Sequence, residues 1–488
     1  MKLPPLTDRV NICPARHTRK SATSANLTQP PHLYDDDPKY PHKMKDQKPI
    51  SSDMSRRQFA ATTGKTLAAG AALAPFIMPS RGFAQNSETI KVGLIGCGGR
   101  GTGAASQALS ADENVILSAV GDVFEDRMDS SLKSLRSQLE DKVKVDPDHQ
   151  FIGFDAYQKV IDSGVDVVIL TTPPGFRPMH LEYAIKQGKH VFCEKPMAVD
   201  GPGVRRVLAA AKMAKEKNLA LVAGFCWRYN YGERAIMERI HDGQIGDPMS
   251  LHTIYNTGSL WVRPRQPGWS DMLYQMRNWY YFGWLSGDHI MEQACHSIDK
   301  MSWAMQDVQP VKCWAHGGRQ VRTGSEYGHI FDHFAVVYEY ENGAQGFHHC
   351  RQQAGCVNDN SDYFIGTKGI AQIKAFGNLT ITGENRWRFR GERPNMYQVE
   401  HNEMMASIRK GEPINDGVWM AHSTLQALMG RMAAYTGQTV TWEQALNSKQ
   451  DLMKYAMNQE DAEGDPIFDW GMDLQTPDVA MPGITEIA

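Results

Sequence analysis

The chain of 488 residues is 41% hydrophobic and 22% charged, which predicts a globular protein of two or three domains and excludes a disordered or fibrous one. No run approaches the ~18 consecutive apolar residues of a membrane-spanning helix, so we expect no integral membrane segment. Residues 1–84 carry 13 Lys and Arg against 6 Asp and Glu, whereas the remainder carries 39 against 49. An acidic body without a basic stripe argues against a nucleic-acid partner.

Residues 1–84 have the composition of a leader rather than of a folded domain. The pair Arg56-Arg57 precedes an Ala- and Gly-rich apolar run at residues 67–78, and small residues follow. A charged start, a short apolar run and a small-residue end are typical of a secretory signal. An amphipathic N-terminal helix is the alternative interpretation.

The paired arginines make residues 54–84 resemble a twin-arginine (Tat) signal, which implies export of the folded protein to the periplasm or the exterior. Signals seldom begin fifty residues into a chain. We therefore expect Met54 to be the true start and the residues before it to be an extension of the gene model.

The cysteines predict neither a disulfide scaffold nor a structural metal site. Seven of the eight follow the leader, and no C-x-x-C pair is present. An odd number without such pairs is not a disulfide framework or a zinc ribbon. A protein that folds before export also does not depend on disulfides.

A glycine-rich turn opens the first predicted domain, residues 88–225. The apolar run 90–95 is of strand type, it leads into a Gly-x-Gly-x-x-Gly sequence, and a small-residue segment of helical type follows. Glycines at these spacings permit a tight turn, the approach of a pyrophosphate to backbone N–H groups and close packing of the helix. From this turn we assign to cofactor binding the residues Gly96, Gly98, Gly99, Arg100 and Gly101.

Asp122 favours NAD over NADP as the cofactor. It lies 21 residues after Gly101, at the end of the second predicted strand. A carboxylate at that place accepts hydrogen bonds from the adenosine ribose hydroxyls and repels a 2′-phosphate.

Strands and helices continue to alternate up to residue 225, which predicts a doubly wound α/β (Rossmann) sheet. The apolar strands 165–170 and 190–193 are followed by Thr172-Pro173 and Glu194-Lys195 respectively. Ligands in such sheets bind beyond the carboxyl ends of the strands. We therefore add Thr172, Pro173, Glu194 and Lys195 to the cofactor-binding set.

These motifs resemble the Gfo/Idh/MocA oxidoreductase family, and the resemblance covers nearly everything after Ser87. It depends on the glycine turn, on Thr172-Pro173 and on the segment 188–196, which ends in Glu-Lys-Pro. It implies an NAD-binding Rossmann domain followed by an α+β domain with a large open, mainly antiparallel sheet, and a homo-oligomer. The family often has a His after the Thr-Pro turn, and Arg177 stands nearby instead, as a cation for a carboxylate or a polyol.

Lys195 is predicted to lie where the reactive ring of a dinucleotide would be. A surface ion pair is the simpler interpretation of one lysine, but its place at a strand end favours the crevice. Partial desolvation near a positive ring would lower the pKa of Lys195, and its ammonium could hydrogen-bond a reacting hydroxyl. Glu194 could orient it.

The second predicted domain spans residues 226–460 and is rich in aromatic, His and Arg residues. Trp227 and Arg228, expected at the domain junction, are assigned to substrate binding. Residues 255–274 show no strong period and predict a long loop, which includes Trp261 and Arg263. That loop could bind a sugar or pack on itself, and the sequence does not decide between the two.

A predicted helix at residues 287–301 carries a polar stripe formed by His289, Glu292, His296 and Asp299. Family members typically have an acid four residues before a His on this helix, where they contact the substrate and move its proton. That resemblance points to His296 as the general base, with Glu292 and Lys195 as its catalytic partners. His289 and Asp299 are assigned to substrate binding. A metal site or a purely structural role are the alternatives.

We interpret the chain as an exported NAD-dependent oxidoreductase that acts on a secondary hydroxyl or ketone of a sugar, sugar acid or polyol. We expect a retained cofactor, because no free NAD pool is expected outside the cytosol. An NAD-dependent glycoside hydrolase using transient oxidation is the main alternative. A non-catalytic sugar-binding protein and a metal-dependent hydrolase are two more. The Pro- and acid-rich tail, residues 461–488, is expected to contact a neighbouring subunit.

Overall fold

The structure, a computed structural model, describes residues 88–454, 459–460, 464 and 466–486. The predicted Tat-type signal at residues 54–84 lies outside the described residues. In the part that is described, no helix is both long and apolar enough to cross a membrane.

The first sheet is parallel and has the strand order β3-β2-β1-β4-β5-β6, which is that of a Rossmann fold. Its strands are β1 (Ile90–Ile95), β2 (Val115–Asp122), β3 (Gln150–Ile152), β4 (Val167–Leu170), β5 (His190–Cys193) and β6 (Leu221–Ala223). Helices on its faces are α1 (Gly99–Ser110), α2 (Glu125–Leu139), α3 (Ala156–Asp162), α4 (Arg177–Lys186) and α5 (Gly201–Glu216). β4 and β5 are buried along their whole length, because helices cover both faces. The predicted doubly wound sheet is confirmed.

The second sheet is mixed and mainly antiparallel, with the order β14-β13-β12-β11-β7-β10-β9-β8-β15. Its strands are β7 (Pro248–Thr257), β8 (Lys312–Gly318), β9 (His333–Glu339), β10 (Gln345–Gln352), β11 (Ser361–Gly366), β12 (Gly369–Lys374), β13 (Leu379–Gly383), β14 (Trp387–Arg388) and β15 (Val440–Thr441). Among neighbouring strands, β7 and β10 run parallel. The predicted open sheet is therefore confirmed. A short separate hairpin joins β16 (Gln459–Glu460) to β17 (Pro466–Ile467).

The helices of the second part of the chain are α6 (Tyr231–His241), α7 (Asp271–Arg277), α8 (Gly283–Ser286), α9 (His289–Glu292), α10 (Cys295–Ala304), α11 (Met396–Lys410), α12 (Gly417–Thr436) and α13 (Trp442–Asn447). Three of them, α6, α10 and α12, pack on the second sheet, and α11 and α13 pack on helices of the first sheet. α11 lies on α1 and shares the apolar core of β1 and β2, and α12 lies between α5 and α10. The carboxyl ends of the parallel strands thus face segments from the second part of the chain.

One expectation about an irregular segment needs correction. The segment 255–274 is not loop throughout, because β7 extends to Thr257 and α7 begins at Asp271. Ser270 starts that helix by accepting a hydrogen bond from the Leu273 N–H at 3.2 Å. The described part of the tail contacts its own chain, where the Trp470 ring lies 4.6 Å from that of Phe154, and its contact with a neighbouring subunit stays a prediction.

Candidate active site

The glycine turn has the geometry that its sequence predicts. Gly96 follows β1 with a φ of +94°, and a Cβ at Gly101 would lie 1.9 Å from the Gly96 carbonyl oxygen. Neither position therefore tolerates a side chain. Gly98 caps α1 without a side-chain hydrogen bond, and no atom lies within 4 Å of where its Cβ would be. The N–H groups at the start of α1 thus face open space that suits a phosphate.

Asp122 stands beside this turn at the end of β2. One carboxylate oxygen accepts the Cys97 N–H at 2.6 Å, and the other accepts the Phe124 N–H at 2.9 Å. Burial raises the pKa of Asp122, while the two backbone N–H groups oppose that rise. Each carboxylate oxygen has further acceptor capacity, so the side chain can also receive ribose hydroxyls.

A cavity of about 460 Å³ opens above the turn. Its walls include Gly98, Asp122 and Thr172 from the first sheet, together with residues between 261 and 279 from the second part of the chain. Three features meet in this cavity. They are the N-terminus of α1, which has no side-chain cap, the open space beside Gly98, and the Asp122 carboxylate at the end of β2. These residues fit a dinucleotide.

Lys195 and Glu292 form an ion pair just beyond the end of β5. The Lys195 Nζ lies 3.0 Å from the Glu292 Oε1 and also donates to the Glu292 carbonyl, and each side chain is 13% exposed. Burial alone would lower the pKa of Lys195, but the Glu292 charge outweighs it, so the pKa lies above its usual value. The expectation of a lowered pKa is therefore wrong, because the sequence did not show this pairing.

His296 lies in the first turn of α10, close enough to Lys195 for their charges to interact. Burial, followed by the positive charges of Lys195, Lys300 and Arg100, holds the pKa of His296 well below its usual value. Its buried Nδ1 has no hydrogen-bond partner among the described residues. The ring is therefore uncharged at neutral pH and can accept a proton.

The predicted polar stripe is not formed, because the helix is broken. α9 ends at Glu292 and α10 begins at Cys295, and Gln293 at the break accepts a 2.7 Å hydrogen bond from the Gln352 side chain. Glu292 and His296 thus lie near Lys195, whereas His289 and Asp299 do not share their surroundings. Among the described residues no group of three His, Cys, Asp or Glu side chains is arranged to hold a metal ion.

The residues assigned to substrate binding lie in the interior with protein partners; they are Arg177, Trp227, Arg228, His289 and Asp299. Arg177 donates to the carbonyls of Thr172 and Pro196 at 2.8 and 2.7 Å, so it links the segment after β4 to the segment after β5. Arg228 pairs with Asp299 at 2.8 Å.

Trp227 and His289 also have their partners inside the protein. The Lys300 Nζ lies 4.9 Å from the Trp227 ring centre. The His289 Nδ1 lies 3.1 Å from Asp288. Their substrate role stays a prediction, and the proposal below does not depend on it.

Arg100 and Glu194, both assigned to the cofactor, bind each other. The Arg100 Nε donates to Glu194, and its other nitrogens reach Glu400 at 2.7 Å and Gln107 at 2.8 Å. Arg100 also lines the cavity. It therefore joins the glycine turn to the Glu-Lys-Pro segment.

Several residues that sequence reasoning missed are close to the site. The Thr172 hydroxyl, next to Pro173 in the cavity wall, lies 3.3 Å from the His180 Nδ1. Burial raises the pKa of Tyr255, with Lys195 opposing it, which places this β7 side chain near the ion pair. The sequence around Tyr255 does not indicate this proximity, because the residue lies on a strand of the second sheet, far along the chain from Lys195.

Two family models match the chain in succession. Residues 90–225 match the oxidoreductase family with an NAD-binding Rossmann fold, and residues 234–372 match the GFO/IDH/MocA C-terminal domain. The chain belongs to the Gfo/Idh/MocA oxidoreductase family. NAD is accordingly its cofactor, in agreement with the glycine turn and Asp122.

Curated relatives in this family include inositol dehydrogenases. The chain is 24% identical to a myo-inositol 2-dehydrogenase of Thermotoga maritima over 66% of its own length and 90% of the relative's. It is 32% identical to an inositol 2-dehydrogenase of Serratia proteamaculans, over 53% and 66% of the two lengths.

Solved structures of other oxidoreductases share the fold. An aldose-aldose oxidoreductase from Caulobacter crescentus aligns with a TM-score of 0.58 and 20% identity, over 72% of this chain and all of that one. A levoglucosan dehydrogenase in complex with NADH aligns with a TM-score of 0.57 and 17% identity, over 72% and 99%.

Proposed function

We propose that this family member oxidises a secondary hydroxyl of a polyol or sugar to the ketone, with NAD as the oxidant. The observation that carries the proposal is the grouping of Lys195, Glu292 and His296 beyond β5. None of the three is among the residues that line the cavity, but Arg100 does line it and pairs with Glu194, the neighbour of Lys195. A neutral imidazole next to a fixed ammonium is the pair that alcohol oxidation needs. The relatives named as inositol dehydrogenases support a polyol as the substrate class.

Oxidation removes a proton and a hydride from the carbinol, and the side chains of the site act on the proton and on the oxygen that loses it. Bound NAD supplies the hydride acceptor. His296, uncharged for the reasons given above, accepts the hydroxyl proton. Lys195 donates a hydrogen bond to the same oxygen and stabilises the negative charge that develops there. Glu292 keeps the ammonium charged and oriented.

The test is NADH formation with a panel of inositols, other polyols and aldoses. We expect His296→Ala and Lys195→Met each to lower kcat about 10²- to 10⁴-fold, the usual contribution of a positioned acid or base. His316→Ala, at an exposed position on β8, is the matched control and should retain full activity. Activity of the His296 variant within threefold of the wild type contradicts the proposal.

The same measurements separate the alternatives. Release of free sugar from an aryl glycoside without net NADH identifies the glycoside hydrolase. Purified protein without nucleotide identifies a non-catalytic binding protein, and loss of activity with a chelator identifies the metal-dependent hydrolase. No feature of the described residues favours any of the three.

We further propose that the protein is exported by the Tat route with its nucleotide retained. The paired arginines Arg56 and Arg57 support the export, and the wall that residues 261–279 add to the cavity supports the retention. An Arg56→Lys/Arg57→Lys variant should remain in the cytoplasm in a fractionation experiment. Nucleotide extracted from the purified protein measures the retention.

A homo-oligomer is also proposed. The outer face of the second sheet carries Trp314, which is 41% exposed, and the stacked pair His252 and Phe347. Light scattering coupled to size-exclusion chromatography measures the mass, and a monomer at micromolar concentration refutes this part.

A further inference from the structure

The short helix α9 ends in Glu292, and buried polar groups hold both of its ends. Glu292 is the residue whose carboxylate and carbonyl both accept hydrogen bonds from the Lys195 ammonium. The Glu292 N–H in turn donates to the Asp288 carbonyl at 2.9 Å. The position of Glu292, and with it that of the Lys195 ammonium, therefore depends on what fixes this helix.

The first end of α9 is fixed by Asp288, whose side chain is fully buried. Its backbone has a φ of 83° and a ψ of 163°, a region that glycine adopts readily and other residues do not. One carboxylate oxygen accepts the His289 N–H, and the other accepts the Phe331 N–H at 2.8 Å and the Tyr435 hydroxyl at 2.6 Å. The strained backbone thus persists because three donors hold the carboxylate in place.

The second end of α9 is fixed by Gln352, which lies on β10. Its side-chain amide donates to the Gln293 side chain at 2.7 Å, directly after the helix, and to the Tyr280 hydroxyl at 2.8 Å. Its side-chain oxygen accepts a hydrogen bond from Arg322. Gln352 is buried, so these bonds are made away from bulk water, where they are stronger.

Arg322 joins the two ends of the helix. This buried guanidinium donates to the Phe331 carbonyl at 2.7 Å as well as to Gln352. The N–H of the same Phe331 donates to Asp288. A continuous path of buried groups thus runs from one end of α9 to the other, and we call it the α9 clamp; its members are Asp288, Phe331, Arg322, Gln352 and Gln293.

We propose that Asp288, Arg322 and Gln352 are positioning residues, which fix α9 at both ends so that the ion pair of the site keeps its geometry. A helix of four residues is not stable by itself, so its place comes from tertiary contacts. A displacement of about 1 Å in a reacting group can cost about 10²-fold in rate. The inference rests on the proposed function, because it assigns the ion pair a part in the reaction.

Two readouts test the clamp, and one of them is independent of turnover. The first is NADH formation with the substrate that the panel of inositols, other polyols and aldoses identifies. The second is the rate at which acetic anhydride acylates Lys195 at constant pH, followed by mass spectrometry of its peptide. A buried lysine that loses its carboxylate partner has a lower pKa, so a larger fraction of it is unprotonated and reacts.

The variants break the clamp at each end. Gln352→Met keeps the length of the side chain but removes its hydrogen bonds to Arg322 and Gln293. Asp288→Gly removes the carboxylate and also the backbone strain, since glycine adopts this conformation freely. Gln352→Glu is the conservative variant, because its carboxylate can accept from Arg322 and from the Gln293 amide once that amide turns.

The matched control is Arg319→Gln, in the same loop as Arg322. Arg319 donates to the carbonyls of Gly328 and Gly324 at 2.8 and 3.3 Å, and neither belongs to the clamp. We expect Gln352→Met and Asp288→Gly each to lower kcat about 10-fold and to speed the acylation of Lys195 about 10-fold, the factor that one unit of lysine pKa gives. NADH affinity should not change, because the glycine turn is untouched. Gln352→Glu and the control should behave like the wild type in both readouts.

Unchanged acylation of Lys195 in the two clamp variants overturns the proposal, and so do equal losses of kcat in Gln352→Met and Gln352→Glu. The comparison of these two Gln352 variants decides alone if Asp288→Gly does not fold. Faster acylation in the clamp variants, with no turnover by the wild type on any member of the panel, counts against the proposed function and still supports the positioning of the ion pair.

Discussion

Replacing Glu292 by Gln is the most direct test of the ion pair at the centre of the proposed site. At 3.0 Å, two unit charges attract by about 5 kcal/mol at an effective dielectric constant of ~20. Both side chains are 13% exposed, so part of this attraction only offsets the cost of desolvating them. The variant keeps the hydrogen bond from Lys195 to the Glu292 carbonyl. We therefore expect a loss of about 2–4 kcal/mol in the free energy of unfolding.

Urea unfolding at pH 7 measures this loss, and Glu339→Gln is the matched control. Glu339 pairs with Lys312 at 3.2 Å, but the lysine and glutamate side chains are 43% and 34% exposed, so that change should cost about 0–1 kcal/mol. Because the folded-state pKa of Lys195 lies above its unfolded value, the difference between wild type and the Glu292 variant should persist from pH 7 to 9. It should shrink only as the pH rises towards that folded value. Equal losses in the two variants would refute the reasoning.

Three further outcomes are expected. Arg277→Gln removes both hydrogen bonds to Asp126, so NADH release should accelerate at least fivefold in stopped-flow fluorescence while Arg265→Gln leaves it unchanged. Burial lowers the pKa of His180 to about 3, and the unfolded chain binds this proton near pH 6.5, so this side chain should contribute about 2 kcal/mol to the loss of stability at pH 5. His180→Phe should remove that share and leave the shares of the other buried histidines, such as His190, His329 and His348. Trp470→Ala should lower the unfolding free energy by about 1–3 kcal/mol, and a thermal melt like that of the wild type contradicts its packing on the cavity wall.

The first sheet could be predicted closely because its strands are buried on both faces. β1 and β5 begin and end at the predicted residues, since a buried parallel strand needs an unbroken apolar run and polar residues flank it. The glycine turn and Asp122 were also predictable, because their chemistry fixes residue type and spacing. Lys195 belongs to the same class, as a side chain placed by the end of a strand.

The second half of the site could not be predicted in the same way. The break after Glu292 is held by Gln352, which lies on β10, and no local pattern reports such a tertiary bond. Residues 289–299 therefore read as one helix although two short ones form. Arg127 looks like an ordinary surface charge in the sequence, and Arg263 looks like one residue of a long loop that could bind a sugar. Only the fold brings them to one cavity.

The described cations at the two ends of the site differ in whether they have carboxylate partners. At the chemical end Arg100 binds Glu194 and Lys195 binds Glu292, whereas Arg177 donates to two backbone carbonyls. The Arg100 guanidinium, which the sequence predicted to bind the cofactor, is thus paired with Glu194. Phosphate binding is therefore left to backbone N–H groups and to other cations.

At the nucleotide end, Arg127 lines the cavity with no ion-pair partner among the described residues. A charge-balanced chemical end suits a neutral polyol, since a surplus charge there would need a counterion in every complex. A surplus of positive charge at the other end suits an anionic dinucleotide. The two ends of the site therefore differ in how much positive charge is left uncompensated, as expected if one binds the dinucleotide and the other the proposed polyol.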